Sequence, residues 1–290
     1  MARVLKAKKP DTTLVTKPKF LIFGPPGVRK TWVALDFPSV YYIDTEGGAS
    51  LPAYQQKLID GGGSYFGKDE GSQDFSCVLE EVATLATTEH KFQTLVIDSF
   101  SKLYLLAAAE AEARIGNDFG KDKKEANKPT RQLMSWLERL DMNVLLVCHE
   151  KDKWKKEGDK LFSEGKTFDG LDKMEYDLHL CLRVDKSGAR VMKSRLEGFP
   201  LDSRFPWSFA EIEKRCGANI MLRQPRAIEL PSIQELAEMH RLMQVVKMPE
   251  GWEEKALSKA GVATWQEMDR VKVQACIKHL AGLIKPEGIE

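Results

Sequence analysis

Phe20-Leu-Ile-Phe23-Gly24-Pro-Pro-Gly-Val-Arg-Lys-Thr31 is the stretch on which the fold turns. Four apolar residues make a short buried strand that ends at Gly24. The segment Gly24 to Thr31 follows the phosphate-loop pattern of glycine, four residues, one further position, lysine and a hydroxyl residue. That further position carries Arg29 where the pattern has glycine. Trp32 to Phe37 continues with helical character until Pro38 stops it. Strand, loop and helix together supply what phosphates require: backbone N–H groups at a helix start, Lys30 to reach the β and γ oxygens, and the Thr31 hydroxyl for Mg2+. The expected ATP contacts are therefore Gly24, Pro25, Pro26, Gly27, Val28, Arg29, Lys30, Thr31 and Trp32. Glycine lets the backbone approach the phosphates closely, so Arg29 either crowds the site or swings outward as an extra cation.

Outward from this loop, strand-like and helix-like runs alternate. Val40 to Ile43 ends in Asp44-Thr45-Glu46-Gly47-Gly48, Thr94 to Ile97 ends at Asp98, and Asn143 to Val147 ends at Cys148-His149-Glu150. Polar residues at the carboxyl ends of buried strands are where ligands meet α/β sheets. Phe75 to Thr87, Ser101 to Arg114 and Gln132 to Leu140 read as the intervening helices, while Ile115 to Arg131 and Lys151 to Gly170 lose periodicity and read as loops. Leu178 to Val184 and Ala189 to Lys193 flank Asp185-Lys-Ser-Gly188 as a hairpin closing the sheet. Helical patterns return at Ser232 to Val246, Trp252 to Ala260 and Trp265 to Leu283. The expectation is an α/β fold with a mostly parallel central sheet flanked by helices. It divides into a basic tail at 1–17, a P-loop core at 18–206 and a small C-terminal helical domain at 207–290.

Composition narrows the partners. The 290 residues hold 44 basic and 43 acidic side chains, a formal charge of +1, so any nucleic-acid surface must be local. Five cysteines without CxxC spacing argue against a zinc site or a disulfide framework. The lysine-bearing first 19 residues hold no apolar signal core, and no run of 18 apolar residues occurs, so the chain reads as cytoplasmic, with no membrane partner.

Two carboxylates complete the candidate site. Asp98, ending an apolar strand some 70 residues after the loop, is the candidate Mg2+ partner of Thr31, although such an Asp also serves as a helix cap. Glu46, ending the adjacent strand, is placed to orient or deprotonate the attacking water, or else is a solvated turn carboxylate.

The order of these parts resembles the core of the RecA-type recombinase ATPases. That resemblance implies a RecA-like P-loop core, a catalytic set of Lys30, Glu46 and Asp98, and a γ-phosphate-sensing tip at His149 and Glu150 that relays to DNA. Met192-Lys193-Ser194-Arg195 resembles the segment that reaches a neighbouring subunit's ATP, making Lys193 and Arg195 trans-acting cations of a homo-oligomer, ring or filament. Two DNA loops are implied as well. One is Ile115 to Arg131, with Lys121, Lys123, Lys124, Lys128 and Arg131. The other begins at Lys151 and carries Lys153, Trp154, Lys155, Lys156 and Phe162.

Cations tracking phosphates and aromatics stacking on bases suit single strands, although interleaved acidic residues leave room for plain solvated loops. The compact core, the Glu-Gly-Gly after the second strand and the His-Glu tip most resemble the phage-encoded, RecA-core-only ATPases of single-strand annealing and recombination. A DNA-dependent ATPase in a bacterial host cytoplasm, meeting single-stranded DNA and a single-strand-binding protein, is then expected. Two other readings stay open: a DNA-binding scaffold whose nucleotide binding Arg29 impairs, and a P-loop ATPase of another class such as a helicase loader.

Overall fold

The apolar runs become central strands because each is buried on both faces, the condition of a parallel sheet covered by helices. The computed structural model describes residues 7, 9–10, 16–115, 121–157 and 160–284. Its strands are β1 (Lys19–Gly24), β2 (Val40–Asp44), β3 (Ser64–Phe66), β4 (Thr94–Asp98), β5 (Asn143–Glu157), β6 (Lys160–Phe168), β7 (Leu180–Asp185), β8 (Gly188–Ser194) and β9 (Arg204–Phe205). Its helices are α1 (Lys30–Ala34), α2 (Pro52–Asp60), α3 (Phe75–Thr87), α4 (Phe100–Ile115), α5 (Lys121–Arg139), α6 (Phe209–Cys216), α7 (Ala218–Met221), α8 (Ile233–Val246), α9 (Trp252–Ala260) and α10 (Arg270–Ala281).

The sheet runs β3-β2-β4-β5-β1-β7-β8-β9, parallel from β3 to β7 and antiparallel at β8 and β9. β5 lies between β1 and β4, with Gly24 level with His149 and Val147 level with Asp98. Asp98 in turn is level with Asp44. The carboxyl ends of β1, β2 and β4 therefore converge along one edge around His149 of β5, and this convergence builds the site.

Helices cover both faces. On one side α3, α4 and α5 pack on the sheet; α5 offers Leu133, Trp136 and Leu137 at helical spacing, with Leu140 just past its end, all buried. On the other side the core includes Ala34, Leu58, Ile212 and Met221, contributed by α1, α2, α6 and α7. Thus α6 and α7, beyond the expected boundary at residue 206, share the core of the sheet. A separate small core around Met239, Trp265, Met268 and Val273 gathers α8 to α10. It docks on α5, where Arg139 Nη2 donates to Glu267 O (2.7 Å) and Asp269 Oδ1 (2.8 Å).

Where they are described, both segments expected as loops are mostly regular. The lysine-rich stretch before Arg131 is the start of α5, because Ala, Glu and Lys propagate a helix whose apolar stripe begins further on. Residues 116–120 and the side chains of Lys121, Lys123 and Lys124 lie outside the described residues; Lys128 and Arg131 are exposed. Lys151 to Gly170 is mostly a β-hairpin arm, β5 continuing beyond the sheet and β6 returning antiparallel to it. An arm with water on both faces has no apolar alternation, so the sequence pattern that marks a strand is missing.

Two lysines are buried at the opposite end of the sheet. Lys17, read as tail, donates to Met221 O (3.4 Å). Lys19, opening β1, donates to Met142 O (2.6 Å) and to Leu140 O, and burial pushes it down to about 7.

Candidate functional site

Gly24 leaves β1 with φ 156°, and a Cβ there would lie 2.0 Å from Val184 O, so a side chain would collide with the backbone of β7. Arg29 caps α1 in the left-handed region, φ 65° and ψ 27°, the conformation that explains why the pattern has glycine at this position. Holding it there costs about 1–2 kcal/mol. Arg29 is exposed and lines both the phosphate cavity and the cavity beside it. Lys30 Nζ folds over the loop and donates to Gly24 O (2.7 Å) and Pro25 O (2.8 Å). Burial lowers its pKa, and the nearby Asp98, Glu150 and Glu46 oppose that shift.

Thr31 Oγ1 donates to Asp98 Oδ2 (2.6 Å), and the buried Tyr42 hydroxyl donates to the same oxygen (2.8 Å). Burial raises the Asp98 pKa, although these two hydrogen bonds pull the other way. A buried carboxylate beside a threonine hydroxyl fits Mg2+ in a phosphate site, where few protein oxygens bind and phosphate and water complete the shell. Among the described residues no three His, Cys, Asp or Glu gather into a metal cage.

Asp44 shapes the turn that presents Glu46. Its Oδ1 accepts from Glu46 N (3.1 Å) and Gly47 N (2.7 Å), and its Oδ2 from Ala49 N (2.8 Å) and Tyr65 OH (3.0 Å). Ser99 N donates to Thr45 Oγ1 (2.9 Å), tying this turn to the end of β4. Glu46 Oε1 then accepts from Ser99 Oγ and lies 2.6 Å from His149 Nε2, at a rim that water reaches. Glu150 points to Arg183 instead, accepting from its Nε (2.7 Å).

One cavity of about 540 Å³ collects Gly24 to Gly27, Arg29 to Trp32, Glu46, Asp98, His149 and Glu150. Val28 lies on a neighbouring cavity. Tyr42, Tyr54 and Arg183 belong to the site surroundings and carry no motif signal; pairing of distant strands is what brings Tyr42 to Asp98.

Lys193 and Arg195 do not join this cavity. Ser194 is level with Leu180 and hence with Phe20, at the end of β1 away from the phosphate loop. Lys193 Nζ donates to Leu178 O and Arg195 Nη2 to Tyr176 O.

On the arm, Trp154 (60% exposed) and Phe162 (49%) point to opposite faces, because Lys155 is paired with Phe162 and Trp154 with Ser163. Lys153 and Lys155 meet Glu164 at 3.1 and 3.8 Å, and Lys166 meets Asp152 at 2.8 Å. The side chain of Lys156 lies outside the described residues. No described helix is long and apolar enough to cross a membrane.

No curated protein matches the chain in sequence. Among solved structures, the flagellar accessory protein FlaH from Methanocaldococcus jannaschii is similar at 12% identity, over 62% of this chain and 80% of that one, with a TM-score of 0.33. A prototypical ATPase from the type III secretion system of pathogenic bacteria is similar at 12% identity, over 92% of this chain and 80% of that one, with a TM-score of 0.38. Likeness at that level carries no argument about activity. A family model described as an AAA domain, however, matches residues 16–197. That span is more than half of the chain and contains every residue of the phosphate cavity. The chain therefore belongs to the AAA-domain family and carries an AAA-type P-loop ATPase domain.

Proposed function

We propose that the chain is a RecA-like, DNA-dependent ATPase in which Glu46 activates the attacking water and the β5–β6 arm engages single-stranded DNA, as in phage-type recombination or annealing. The observation that carries this reading is the Glu46–Ser99–His149 cluster, which shares one cavity with Lys30, Thr31 and Asp98.

On this reading the loop amides and Lys30, released from Gly24 O and Pro25 O, bind the β- and γ-phosphate oxygens. Thr31 and Asp98 would hold Mg2+, which when bound neutralises charge on those oxygens. Glu46 orients a water in line with the γ-phosphorus and accepts its proton as the new P–O bond forms and the bond to the β–γ bridging oxygen breaks, giving ADP and phosphate. Ser99 and His149 hold Glu46 in position. His149 stands on β5, whose continuation is the arm. That continuity supports coupling between DNA and turnover. Assembly into a ring or filament belongs to the same proposal, since Lys193 and Arg195 could serve a nucleotide only on a neighbouring copy.

ATP turnover with and without single-stranded DNA, in the native chain, Glu46→Gln and Arg29→Gly, tests it. The native chain is expected to hydrolyse ATP and to be stimulated by DNA, while Glu46→Gln loses about 100-fold or more in kcat and keeps nucleotide binding. An unaffected Glu46→Gln rules out the water-activating role. Absence of hydrolysis in both the native chain and Arg29→Gly, with DNA still bound, leaves a scaffold. Sedimentation with ATP and DNA decides assembly, and a strictly monomeric active enzyme removes Lys193 and Arg195 from the mechanism.

A further inference from the structure

The buried carboxylate of the phosphate cavity is held by two donors of different origin. Thr31 belongs to the loop pattern, whereas Tyr42 stands on β2 and belongs to no motif. Register brings it there. Tyr42 is level with Val96 on β4, and Asp98 lies two residues further along that strand on the same face of the sheet, within reach of a long side chain. Tyr42 is 1% exposed, and burial raises its hydroxyl well above the ordinary 10, so the hydroxyl keeps its proton and serves Asp98 as a donor.

Both donors fall on Oδ2 of Asp98. Among the described residues no group donates to Oδ1, which is left to the cavity that Asp98 lines. Asp44, level with Asp98, has no such free oxygen: backbone amides and the Tyr65 hydroxyl take both of its own. Tyr42 and Tyr65 are themselves level on β2 and β3, their rings stacked at 6.4 Å with 10° between the planes, and each directs its hydroxyl to one aspartate. One tyrosine thus braces the candidate metal carboxylate, and the other braces the turn that presents Glu46.

We propose that Tyr42 is a positioning residue for Mg2+, fixing Oδ2 of Asp98 so that the carboxylate keeps Oδ1 turned to the cavity and free for the cation. Thr31 needs its own oxygen for the same cation, so Tyr42 is the donor whose whole role is to hold the carboxylate. Outer-shell partners of this kind are worth about 10- to 100-fold in metal affinity. This rests on the reading of Thr31 and Asp98 as the Mg2+ site, and the experiment separates the two.

Affinity for a non-hydrolysable ATP analogue is measured by calorimetry, in excess Mg2+ and in EDTA, for the native chain, Tyr42→Phe and Tyr65→Phe. Tyr42→Phe keeps the stacked ring and removes only the hydroxyl. It is expected to bind the analogue in EDTA within about twofold of the native chain, which also reports that the variant is folded, and to lose roughly tenfold or more in Mg2+. Tyr65→Phe, whose missing hydroxyl served Asp44, keeps the native affinity in both conditions. Equal weakening of Tyr42→Phe with and without Mg2+, or none in Mg2+, overturns the positioning role and leaves the tyrosine as packing. A matching loss in Mg2+ for Tyr65→Phe overturns it too, since the effect then belongs to the stacked pair. A native chain that binds the analogue equally well with and without Mg2+ refutes the metal reading of Thr31 and Asp98 and the role of Tyr42 with it. One that binds in neither condition refutes the phosphate-loop reading itself.

Discussion

Asp98 lies where water barely reaches, with the hydroxyls of Thr31 and Tyr42 donating to one of its oxygens. Burial raises its pKa above the ordinary 3.8, so the folded chain holds that proton more tightly than the unfolded chain does. The ionised form consequently lowers stability at neutral pH, and this penalty fades as pH falls through the raised value toward 3.8. Asp98→Asn, whose amide oxygen can accept from both hydroxyls, is expected to raise Tm at pH 7 by about 2–4 °C for each kcal/mol recovered. The gain should shrink as the melts are repeated at lower pH, while Mg2+-dependent nucleotide affinity falls. An equal gain at every pH would refute the ionisation account. Arg29 shows a different residue-scale tension: an exposed side chain at the cavity rim, carried on a backbone conformation suited to glycine.

On the proposed function, the β5–β6 arm is the element on which DNA coupling would depend. Lys153, Lys155 and Phe162 share one of its faces with Glu164, while the other carries Trp154 and the Asp152–Lys166 pair. The first face has the greater positive charge, so on the proposed function a single strand would lie along it and stack on Phe162. Phe162→Ala is expected to weaken single-stranded DNA binding about fivefold or more, and Trp154→Ala to change it less than twofold, as read by fluorescence anisotropy. The reverse order would place the strand on the opposite face. The arm also marks a limit of sequence reading. β1, β2 and β4 were legible because apolar runs ended in motif residues, and Arg29's backbone conformation was implicit in the glycine it replaces. The extension of β5 was not legible, since exposed strands need no apolar period. Nor was Tyr42 as partner of Asp98, a contact made by parallel register across 56 residues. His149 was placed by its position at a strand tip, and its pairing with Glu46 became visible only with the strand order.

At the scale of the molecule, the end of α5 is a junction. Arg139 holds the helical unit, and the carbonyls of Leu140 and Met142 hold Lys19 at the root of the phosphate strand. Burial places the folded pKa of Lys19 at about 7 against the ordinary 10.5. Between those values the unfolded chain binds the extra proton, so this group makes stability rise with pH across the window. Denaturant midpoints of the native chain and Lys19→Met at pH 7, 8 and 9 should therefore diverge, with the native chain gaining relative to the variant at each step. Parallel midpoints would show that Lys19 does not titrate there. The longest strand has a consequence at the same scale. From His149, on the wall of the phosphate cavity, to Glu157 the backbone of β5 runs about 25 Å, with one register shift against β6 between Lys153 and Trp154. On the proposed function, load on the outer end would reach Glu46 through His149, and a phosphate that reseats His149 would swing the arm, so that chemistry and mechanical work would share one piece of chain.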